Sequence, residues 1–346
     1  MKKKVLHILA SNSFSGAENV VCTIVKNMTD EYDMYYCCPQ GDIGEKLKKE
    51  NINYIPIKKL SYLELKKVIK KLNPDIIHAH DYRASGMVSL FSKQYKTISH
   101  IHVNKSNMHS FNIYSILYEK LFERFNTIVW VSKSAYDDFY FKSKVKNKSI
   151  VLSNVIDGNF IINKSNLESY NDFYDLIFLG RLTKQKNPER LIDIASMIKK
   201  KKDDFKVAIV GGGEKYDLIA NLIKERKLEN NIKMYGFKNN PYPILKNSKL
   251  LIMTSIWEGT PMVALEAQAM SIPIISTPID GLKDIIINGK NGYLLDSDED
   301  FCNTIVDILN DTNKYEEMKK QSEIMFEQFN NLNVYKQKIR EIYENE

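Results

Sequence analysis

Short runs of β-branched and apolar residues recur along the chain, and each is followed by a segment whose apolar positions repeat with a helical period. In the first half the pattern predicts strands at 4–10, 34–38, 54–57, 75–79, 97–102 and 127–132. In the second half it predicts strands at 176–180, 206–211, 232–236, 249–255 and 272–276. Nearly continuous apolar strands that alternate with helices are typical of parallel sheets covered on both faces. The predicted fold class is therefore α/β, with doubly wound parallel sheets.

The chain is long enough for two domains, and the pattern breaks once. A sequence of 346 residues exceeds one ordinary core, and the polar, asparagine-rich segment 153–173 has no strong period. We predict an N-terminal Rossmann-like domain at 1–155, a hinge at 156–172 and a C-terminal Rossmann-like domain at 173–325. A last helix at 326–346 is predicted to pack back on the N-terminal domain. Open α/β sheets bind ligands beyond the carboxyl ends of their strands, so we expect the two domains to face each other across a ligand-binding cleft.

The stretch "IWEGTPMVALEAQAM" (256–270) carries two acids in an apolar context. Thr260 is expected to cap a helix that begins at Pro261, because proline suits the first helical position. Glu258 then lies in the loop before this helix, and Glu266 lies about one and a half turns inside it. A buried carboxylate without a partner is costly. Both acids are therefore candidates for holding a ligand at one strand end.

Composition predicts a cytoplasmic protein. The chain is 43% hydrophobic and 27% charged, as expected of a globular protein. Its four cysteines form no CxxC pair, which fits a reducing compartment. The apolar run 5–10 is shorter than a signal peptide requires, and no stretch reaches the roughly 20 apolar residues needed to span a bilayer.

The net charge of +7 is concentrated in residues 1–150, which carry 24 basic and 14 acidic side chains. This asymmetry predicts either an anionic partner or a merely lysine-rich surface. Nucleic acid fits the charge but no motif, so we expect none as a partner. The segment 61–74 is expected to form a helix with its apolar side chains on one side, namely Leu63, Leu65, Val68, Ile69 and Leu72. Its lysines are expected elsewhere on the helix, namely Lys66, Lys67, Lys70 and Lys71. This helix and the aromatic segment 110–125 either lie on an anionic membrane surface or are ordinary core-facing helices.

Two glycine-bearing strand ends could cradle phosphate, "SFSGAENVV" with Gly16 and "VGGGE" at 210–214. Neither matches a dinucleotide fingerprint or a P-loop, and each could be a plain turn. The loop "GRLTKQK" is more specific, because Arg181 and Lys186 flank it just before a helix start. Two fixed cations at such a place suit a diphosphate.

These residues together resemble a known family. The combination "FLGRLTKQKNPERLI", "VGGGE", "YGF" and "EGTPMVALEAQAMSIPIISTPIDGLKDII" with "NGKNGYLL" is similar to the retaining glycosyltransferases of family 4, which have the GT-B fold of two facing Rossmann-like domains. The resemblance spans most of the chain and is strongest over 176–295. It implies a glycosyltransferase that uses a nucleoside-diphosphate sugar.

The resemblance also implies roles for individual residues. Arg181 and Lys186 neutralise the donor diphosphate, and Gly16 lets the backbone approach it. Glu266 accepts hydrogen bonds from the ribose, and Glu258 lies at the sugar. The remaining donor-binding positions are the helix-start amides of Met262 and Val263 and the turn that borders the base, Phe237 and Lys238.

In the first domain, "SHIHVN" resembles the family's H-x-H-N segments, so His102 is expected at the reacting sugar, with His100 as the weaker candidate. His78 and His80 stay open as structural or acceptor-side residues. We expect no metal and no cofactor, because the D-x-D string at Asp296–Asp298 is predicted to start an exposed helix.

The predicted activity is retaining transfer of a hexose-type sugar, from a UDP-sugar by first choice, to a glycan or lipid-linked acceptor in surface polysaccharide assembly. The enzyme would be cytoplasmic or peripheral at the inner membrane face. Two alternatives remain open: a nucleotide-sugar epimerase or hydrolase of the same fold, and a non-catalytic partner subunit. The second would require loss of donor-site residues, and these are present.

Overall fold

The computed structural model describes residues 2–13, 16–102 and 106–345. The chain divides into two compact units. The first unit consists of Met1–Val155 together with Asn331–Glu346, and the second is Ile156–Asn330. The chain therefore leaves the first unit once and returns to it with its last helix.

The described part of the first unit is built on a seven-stranded parallel sheet in the order β3-β2-β1-β4-β5-β6-β7. Its strands are β1 Lys4–Ile8, β2 Asp33–Pro39, β3 Asn53–Ile57, β4 Ile76–His80, β5 Lys96–Ile101, β6 Thr127–Trp130 and β7 Ser149–Val151. Its helices are α1 Gly16–Met28, α2 Ile43–Lys49, α3 Tyr62–Leu72, α4 Asp81–Val88, α5 Ile113–Phe122, α6 Lys133–Asp137, α7 Lys142–Val145 and α15 Leu332–Glu344. The chain order reverses between β1 and β4, which is the switch point of a doubly wound sheet.

The two faces of this sheet differ in chemistry. One face carries apolar side chains of β1, β4 and β5 and packs against apolar residues of α3, α4 and α5. The other face carries histidines from the same three strands, and Tyr343 of α15 contacts them. Helix α15 also packs against α1, and ion pairs from Arg340 to Glu31 and from Lys3 to Glu344 hold its outer side.

The second unit has a six-stranded parallel sheet in the order β10-β9-β8-β11-β12-β13. Its strands are β8 Tyr174–Leu179, β9 Val207–Val210, β10 Ile232–Gly236, β11 Ser248–Met253, β12 Ile274–Ser276 and β13 Gly292–Leu294. Its helices are α8 Gly158–Ser165, α9 Pro188–Lys199, α10 Tyr216–Glu225, α11 Tyr242–Lys246, α12 Met262–Gln268, α13 Asp298–Asn310 and α14 Thr312–Phe329. A large apolar cluster lies between the sheet and α9, α10 and α13. Here the chain order reverses between β8 and β11.

Three sequence expectations differ from the structure. The short edge strands β7 and β13 are not among the predicted strands. The segment 153–173, predicted to be a hinge without period, contains α8, which packs on α11 in the second unit. Leu63, predicted to lie with Leu65 and Ile69 on the core side of α3, is 69% exposed, whereas the other two are buried.

Candidate active site

The switch point of the second sheet brings together most of the residues predicted to bind a donor. Strands β8 and β11 are hydrogen-bonded neighbours, so the loops that follow them leave the same edge side by side. Arg181 and Lys186 lie on the loop after β8, and Glu258 lies on the loop after β11. Carboxyl ends of parallel strands at a switch point are the usual ligand position in such sheets.

Lys186 and Glu258 form an ion pair at the carboxyl ends of β8 and β11. The ammonium of Lys186 contacts Oε1 of Glu258, and their side chains are only 15% and 10% exposed. The Ser255 hydroxyl donates to the same oxygen at 2.9 Å, and the Gln185 amide donates to Oε2 at 3.3 Å. The carboxylate is thus held by three donors, which offsets the cost of its partial burial.

Backbone contacts fix the two loops against each other. The Ile256 amide donates to the Gln185 carbonyl at 2.8 Å, and the Thr254 hydroxyl donates to the carbonyls of Lys186 and Asn187 at 3.0 and 2.8 Å. These bonds hold Lys186 in place before α9 begins. The cation is therefore positioned by backbone as well as by its carboxylate partner.

The loop after β9 approaches the loop after β8 so closely that it requires glycine. Gly211 has φ +148, and a side chain there would overlap the carbonyl oxygen of Gly180. The amide of Leu182 donates to the Gly212 carbonyl at 2.8 Å. The "VGGGE" glycines thus bring two strand-end loops into contact at the predicted donor-binding edge.

Glu266 lies one helix turn further from this edge and has its own partner. It is 8% exposed on α12, and the Tyr242 hydroxyl donates to its Oε1 at 3.2 Å. Burial, and then the charge of Glu266, raise the pKa of Tyr242, so this tyrosine stays a neutral donor at all ordinary pH values.

The start of α12 differs by one residue from the prediction. Pro261, with φ −72 and ψ 120, is the N-cap rather than the first helical residue, and it makes no side-chain cap hydrogen bond of its own. Thr260 therefore does not occupy the predicted cap position. Met262 and Val263 are the first two helical residues, so their amides are among those without intrahelical acceptors.

Of the other predicted donor residues, Arg181, Phe237 and Gly16 are exposed and Lys238 is half-buried. The side chain of Arg181 is exposed, and Phe237 is 75% exposed directly after β10. The ammonium of Lys238 lies 5.9 Å from the centre of the Tyr235 ring. These three belong to the second unit, whereas Gly16 is the exposed first residue of α1 in the first unit.

His102 directly follows β5 in the first unit and is 5% exposed. Its backbone amide donates to Oδ1 of Asp81 at 3.1 Å, and Asp81 itself has φ +63, a conformation that costs free energy outside glycine. Burial lowers the pKa of His102 to about 4, and the charge of Glu18 acts in the opposite direction. The ring is therefore neutral near pH 7.

Four more histidines, including the weaker candidate His100, are buried beside His102. His7, His78, His80 and His100 lie on the same sheet face. Burial also lowers the pKa of His7, to about 3. Ring nitrogens of His7, His78 and His80, and of His80, His100 and His102, lie close enough to offer metal ligands. Some of these nitrogens contact one another, however: His7 Nδ1 lies 2.9 Å from His80 Nε2, and His80 Nδ1 lies 2.9 Å from His102 Nε2.

The D-x-D string has a structural role. Helix α13 begins at Asp298, as predicted, and Ser297 caps it by accepting from the Asp300 amide at 3.1 Å. The Asp298 carboxylate accepts from Nε of Arg190 at 2.6 Å, and the Asp296 carbonyl also accepts from this arginine.

Pattern reasoning missed the residues that position the predicted ones. Gln185 lies between Arg181 and Lys186 in the predicted diphosphate loop and Ser255 ends a predicted strand, but no motif marks either side chain. Tyr242 and Tyr343 had no motif to mark them. Their contacts depend on which strands are neighbours, and a single sequence gives no pairing.

Comparison with known sequences identifies the family. Residues 14–160 match the family model described as Glycosyltransferase Family 4, and residues 159–325 match that described as Glycosyl transferases group 1. CapH of Staphylococcus aureus, a capsular polysaccharide biosynthesis glycosyltransferase, is 30% identical over 315 residues, which cover 85% of each chain. The chain belongs to the glycosyltransferases.

Further comparisons agree with this assignment and with the fold. WclY of Escherichia coli, an O-antigen biosynthesis glycosyltransferase, is 26% identical over 80% of each chain. The crystal structure of Anabaena Alr3699/HepE with UDP and glucose superposes with a TM-score of 0.85 at 20% identity, covering 98% of each chain. The GT-B fold predicted from the resemblance is confirmed. Among the described helices of this glycosyltransferase, none has the length and apolarity to cross a membrane.

Proposed function

We propose that this glycosyltransferase transfers a hexose-type sugar with retention from a nucleoside-diphosphate sugar, UDP by first choice, to a glycan or lipid-linked acceptor in cell-surface polysaccharide synthesis. The observation that carries the donor is the Lys186–Glu258 pair, held at the switch point of the second sheet. Support for the donor comes from the HepE structure, which was solved with UDP and glucose. Support for the setting comes from the capsular and O-antigen relatives.

The diphosphate is assigned to Lys186 and Arg181. An ammonium has three N–H donors, and Glu258 takes one from Lys186, so two remain for phosphate oxygens. Arg181 is exposed and makes no side-chain hydrogen bond or ion pair within the described residues, so its forked guanidinium is available to the second phosphate. Two fixed cations can stabilise the departing nucleoside diphosphate without a metal ion.

The two acids are assigned different parts of the donor. A carboxylate offers about four lone-pair sites, and Lys186, Ser255 and Gln185 occupy three of those on Glu258. One site on Oε2 is left for a sugar hydroxyl. Glu266 is assigned to the ribose, oriented by the Tyr242 hydroxyl.

The remaining assignments are the base, the helix start and the first unit. Phe237 and Lys238 are assigned to the base, because an exposed aromatic ring after β10 can stack on it. The amides of Met262 and Val263 and the backbone at Gly16 are assigned to the donor phosphates. We assign His102 to the reaction as the strand-end histidine of the first unit.

An anionic membrane surface is proposed as a further partner at the inner face of the cell membrane. The outer side of α5 and the nearby loops carry unusually exposed apolar side chains, here called the α5 patch: Phe111, Ile113, Tyr114, Leu117 and Tyr140, each at least 50% exposed. Helix α3 adds Lys66, Lys67 and Lys70 on its solvent side. An apolar surface together with lysines is what an interfacial helix presents to anionic lipid.

The test is sugar transfer from radiolabelled UDP-glucose and UDP-N-acetylglucosamine to a lipid-linked saccharide fraction. Expected is acceptor-dependent incorporation that persists in EDTA, with the donor's anomeric configuration in the product by NMR. Release of free sugar at the same rate without acceptor would instead indicate a hydrolase, and accumulation of an isomerised nucleotide sugar would indicate an epimerase. An absolute need for a divalent ion in single turnover would contradict the assignment of Arg181 and Lys186.

A further inference from the structure

Five of the six histidines of the chain are buried on one face of the first sheet. They are His7 of β1, His78 and His80 of β4, His100 of β5 and His102 directly after it, and none is more than 5% exposed. The registers pair His7 with His78 and His80 with His100. Because side chains alternate along a strand, all five point to the same side, toward Tyr343 of α15.

Three of the rings are joined edge to edge. His7 Nδ1 lies 2.9 Å from His80 Nε2, and His80 Nδ1 lies 2.9 Å from His102 Nε2. Each pair has its ring centres 5.2 Å apart and its planes within 27°, which is the geometry of an in-plane hydrogen bond. The Tyr343 hydroxyl continues the chain, 3.4 Å from His7 Nε2 and 3.0 Å from His78 Nδ1.

This series of hydrogen bonds ends at two ring nitrogens that have no hydrogen-bond partner in the described residues. They are His102 Nδ1 and His78 Nε2. The four hydrogen-bonded histidines, His7, His78, His80 and His102, have a lowered pKa because they are buried. Each of them therefore carries one N–H near pH 7. A neutral imidazole donates with one nitrogen and accepts with the other.

Two arrangements of protons run in one direction through every bond, and a third differs from the second only at His78, where Nδ1 donates so that Tyr343 accepts from both rings. In the first, Nδ1 of each linked histidine donates, Tyr343 donates to His7 and accepts from His78, and His102 Nδ1 carries a proton. In the second, every bond runs the other way, and His102 Nδ1 is a bare acceptor. Changing the first arrangement into the second releases one proton at His102 Nδ1 and takes up one at His78 Nε2, so the protons balance.

We propose that His7, His80 and Tyr343 are positioning residues that set the tautomer of His102 through this hydrogen-bonded chain. A group that contacts His102 Nδ1 then selects one shared tautomer for His102, His80 and His7. The inference rests on the proposed function only where it gives His102 a part in sugar transfer. The chain itself is a property of the free protein.

The test is nitrogen-15 NMR of the histidine side chains in the free protein at neutral pH. Two-bond nitrogen–proton couplings distinguish Nδ1–H from Nε2–H rings. Expected is one shared tautomer for His7, His80 and His102. Different tautomers among the three, or an imidazolium in any of them, would overturn the proposal.

Variants add a matched control. His100 is equally buried on the same face, and neither of its nitrogens has a hydrogen-bond partner among the residues that the structure describes. His100→Phe should therefore leave the His102 tautomer unchanged, whereas His80→Phe should change it or mix the two forms. If His80→Phe does not fold, Tyr343→Phe should uncouple His78 from His7 and leave the other bonds intact. Equal effects of His80→Phe and His100→Phe would refute the relay.

A metal site is the competing explanation, and Co²⁺ is its probe. Stoichiometric d–d absorption on adding Co²⁺, lost in His80→Phe, would show that the rings are ligands and would refute the tautomer relay. Because none of these measurements uses a sugar donor, failure of the relay and failure of the proposed transfer are separate results.

Discussion

Glu258 is the residue whose surroundings limit the chemistry most. Its carboxylate is held by an ammonium, a hydroxyl and an amide, so removing its charge would also release Lys186. Glu266 accepts from the neutral Tyr242 hydroxyl and is not one of the groups that hold the Glu258 carboxylate. The two acids should therefore respond differently to the same chemical change.

We expect Glu266→Gln to raise the donor KM with little change in kcat, because ribose contacts are the same in the ground state and the transition state. Loss of a charge-assisted hydrogen bond costs roughly 1.5–3 kcal/mol, or about 10- to 150-fold in KM. Glu258→Gln should act mainly on kcat, because charge develops at the sugar as the bond breaks. Steady-state kinetics with the preferred donor measures both.

The matched control is Glu229→Gln. Glu229 is an exposed acid before β10, at the amino ends of the strands of the same sheet. It should leave both constants unchanged. Near-normal kcat and KM in all three variants would mean that Glu258 and Glu266 are structural. A KM effect in Glu258→Gln with a kcat effect in Glu266→Gln would reverse their roles.

At the scale of elements, sequence pattern predicted the buried strands well and their partners poorly. Central strands such as β4 and β11 are continuous apolar runs, whereas the three-residue edge strands gave no pattern. Arg181, Lys186 and Glu258 could be named because motif spacing survives in a sequence. Their contact with Gln185 and Ser255 could not, because it depends on the pairing of β8 with β11.

The histidine face predicts how the first unit responds to acid. The buried histidines have pKa values in the folded state below their unfolded value of about 6.5, so the unfolded chain binds more protons below that pH. Their contribution to stability is therefore retained above pH 6.5 and lost as the pH falls below it. Each histidine contributes a slope of up to about 1.4 kcal/mol per pH unit, continuing down to about pH 4 for His102 and about 3 for His7. Urea titrations from pH 7 to 5 should show a steep fall in the free energy of unfolding.

His100→Phe tests the origin of this acid sensitivity. The variant should shallow the pH slope, because it removes one proton-binding site of the unfolded state. A free energy of unfolding that is flat between pH 7 and 5 in the parent protein would contradict the buried, neutral state of the cluster.

The α5 patch and α3 predict separate contributions to membrane binding. Ile113→Glu with Leu117→Glu should weaken sedimentation with anionic vesicles by removing apolar insertion. Neutralising Lys66, Lys67, Lys70 and Lys71 should weaken it mainly at low salt, because the Debye length falls to about 8 Å at physiological ionic strength. Leu218→Glu, an exposed leucine of the second unit, is the control. Equal binding to neutral and anionic vesicles would contradict the proposal.

At the scale of the molecule, the first unit is completed by the last helix of the chain. Ile339, Ile342 and Tyr343 of α15 are at most 1% exposed, so α15 is part of that unit's core. A terminal helix could be predicted from the sequence. The histidines that it covers could not be, because their common face depends on the sheet order β1-β4-β5.

We therefore expect Ile339→Ala to destabilise the first unit by about 2–4 kcal/mol, the usual cost of emptying a buried isoleucine site. Val334→Ala, on the same helix at 47% exposure, should cost much less. Thermal unfolding followed by calorimetry reports both. An equal effect of the two variants would show that α15 is not packed as the structure has it.

Titration of the protein with UDP-, GDP-, ADP- and dTDP-glucose by calorimetry tests whether the second unit holds a nucleoside-diphosphate sugar where Lys186 and Glu258 meet. We predict binding of one nucleotide, UDP by first choice, that weakens at least tenfold in Lys186→Ala, because a charge-assisted hydrogen bond to phosphate is worth about 1.5–3 kcal/mol. Lys206 lies at the amino end of β9 in the same sheet, so the Lys206→Ala variant should bind the nucleotide as the parent protein does. Absence of binding by all four donors, or equal affinity in both lysine variants, would contradict the account.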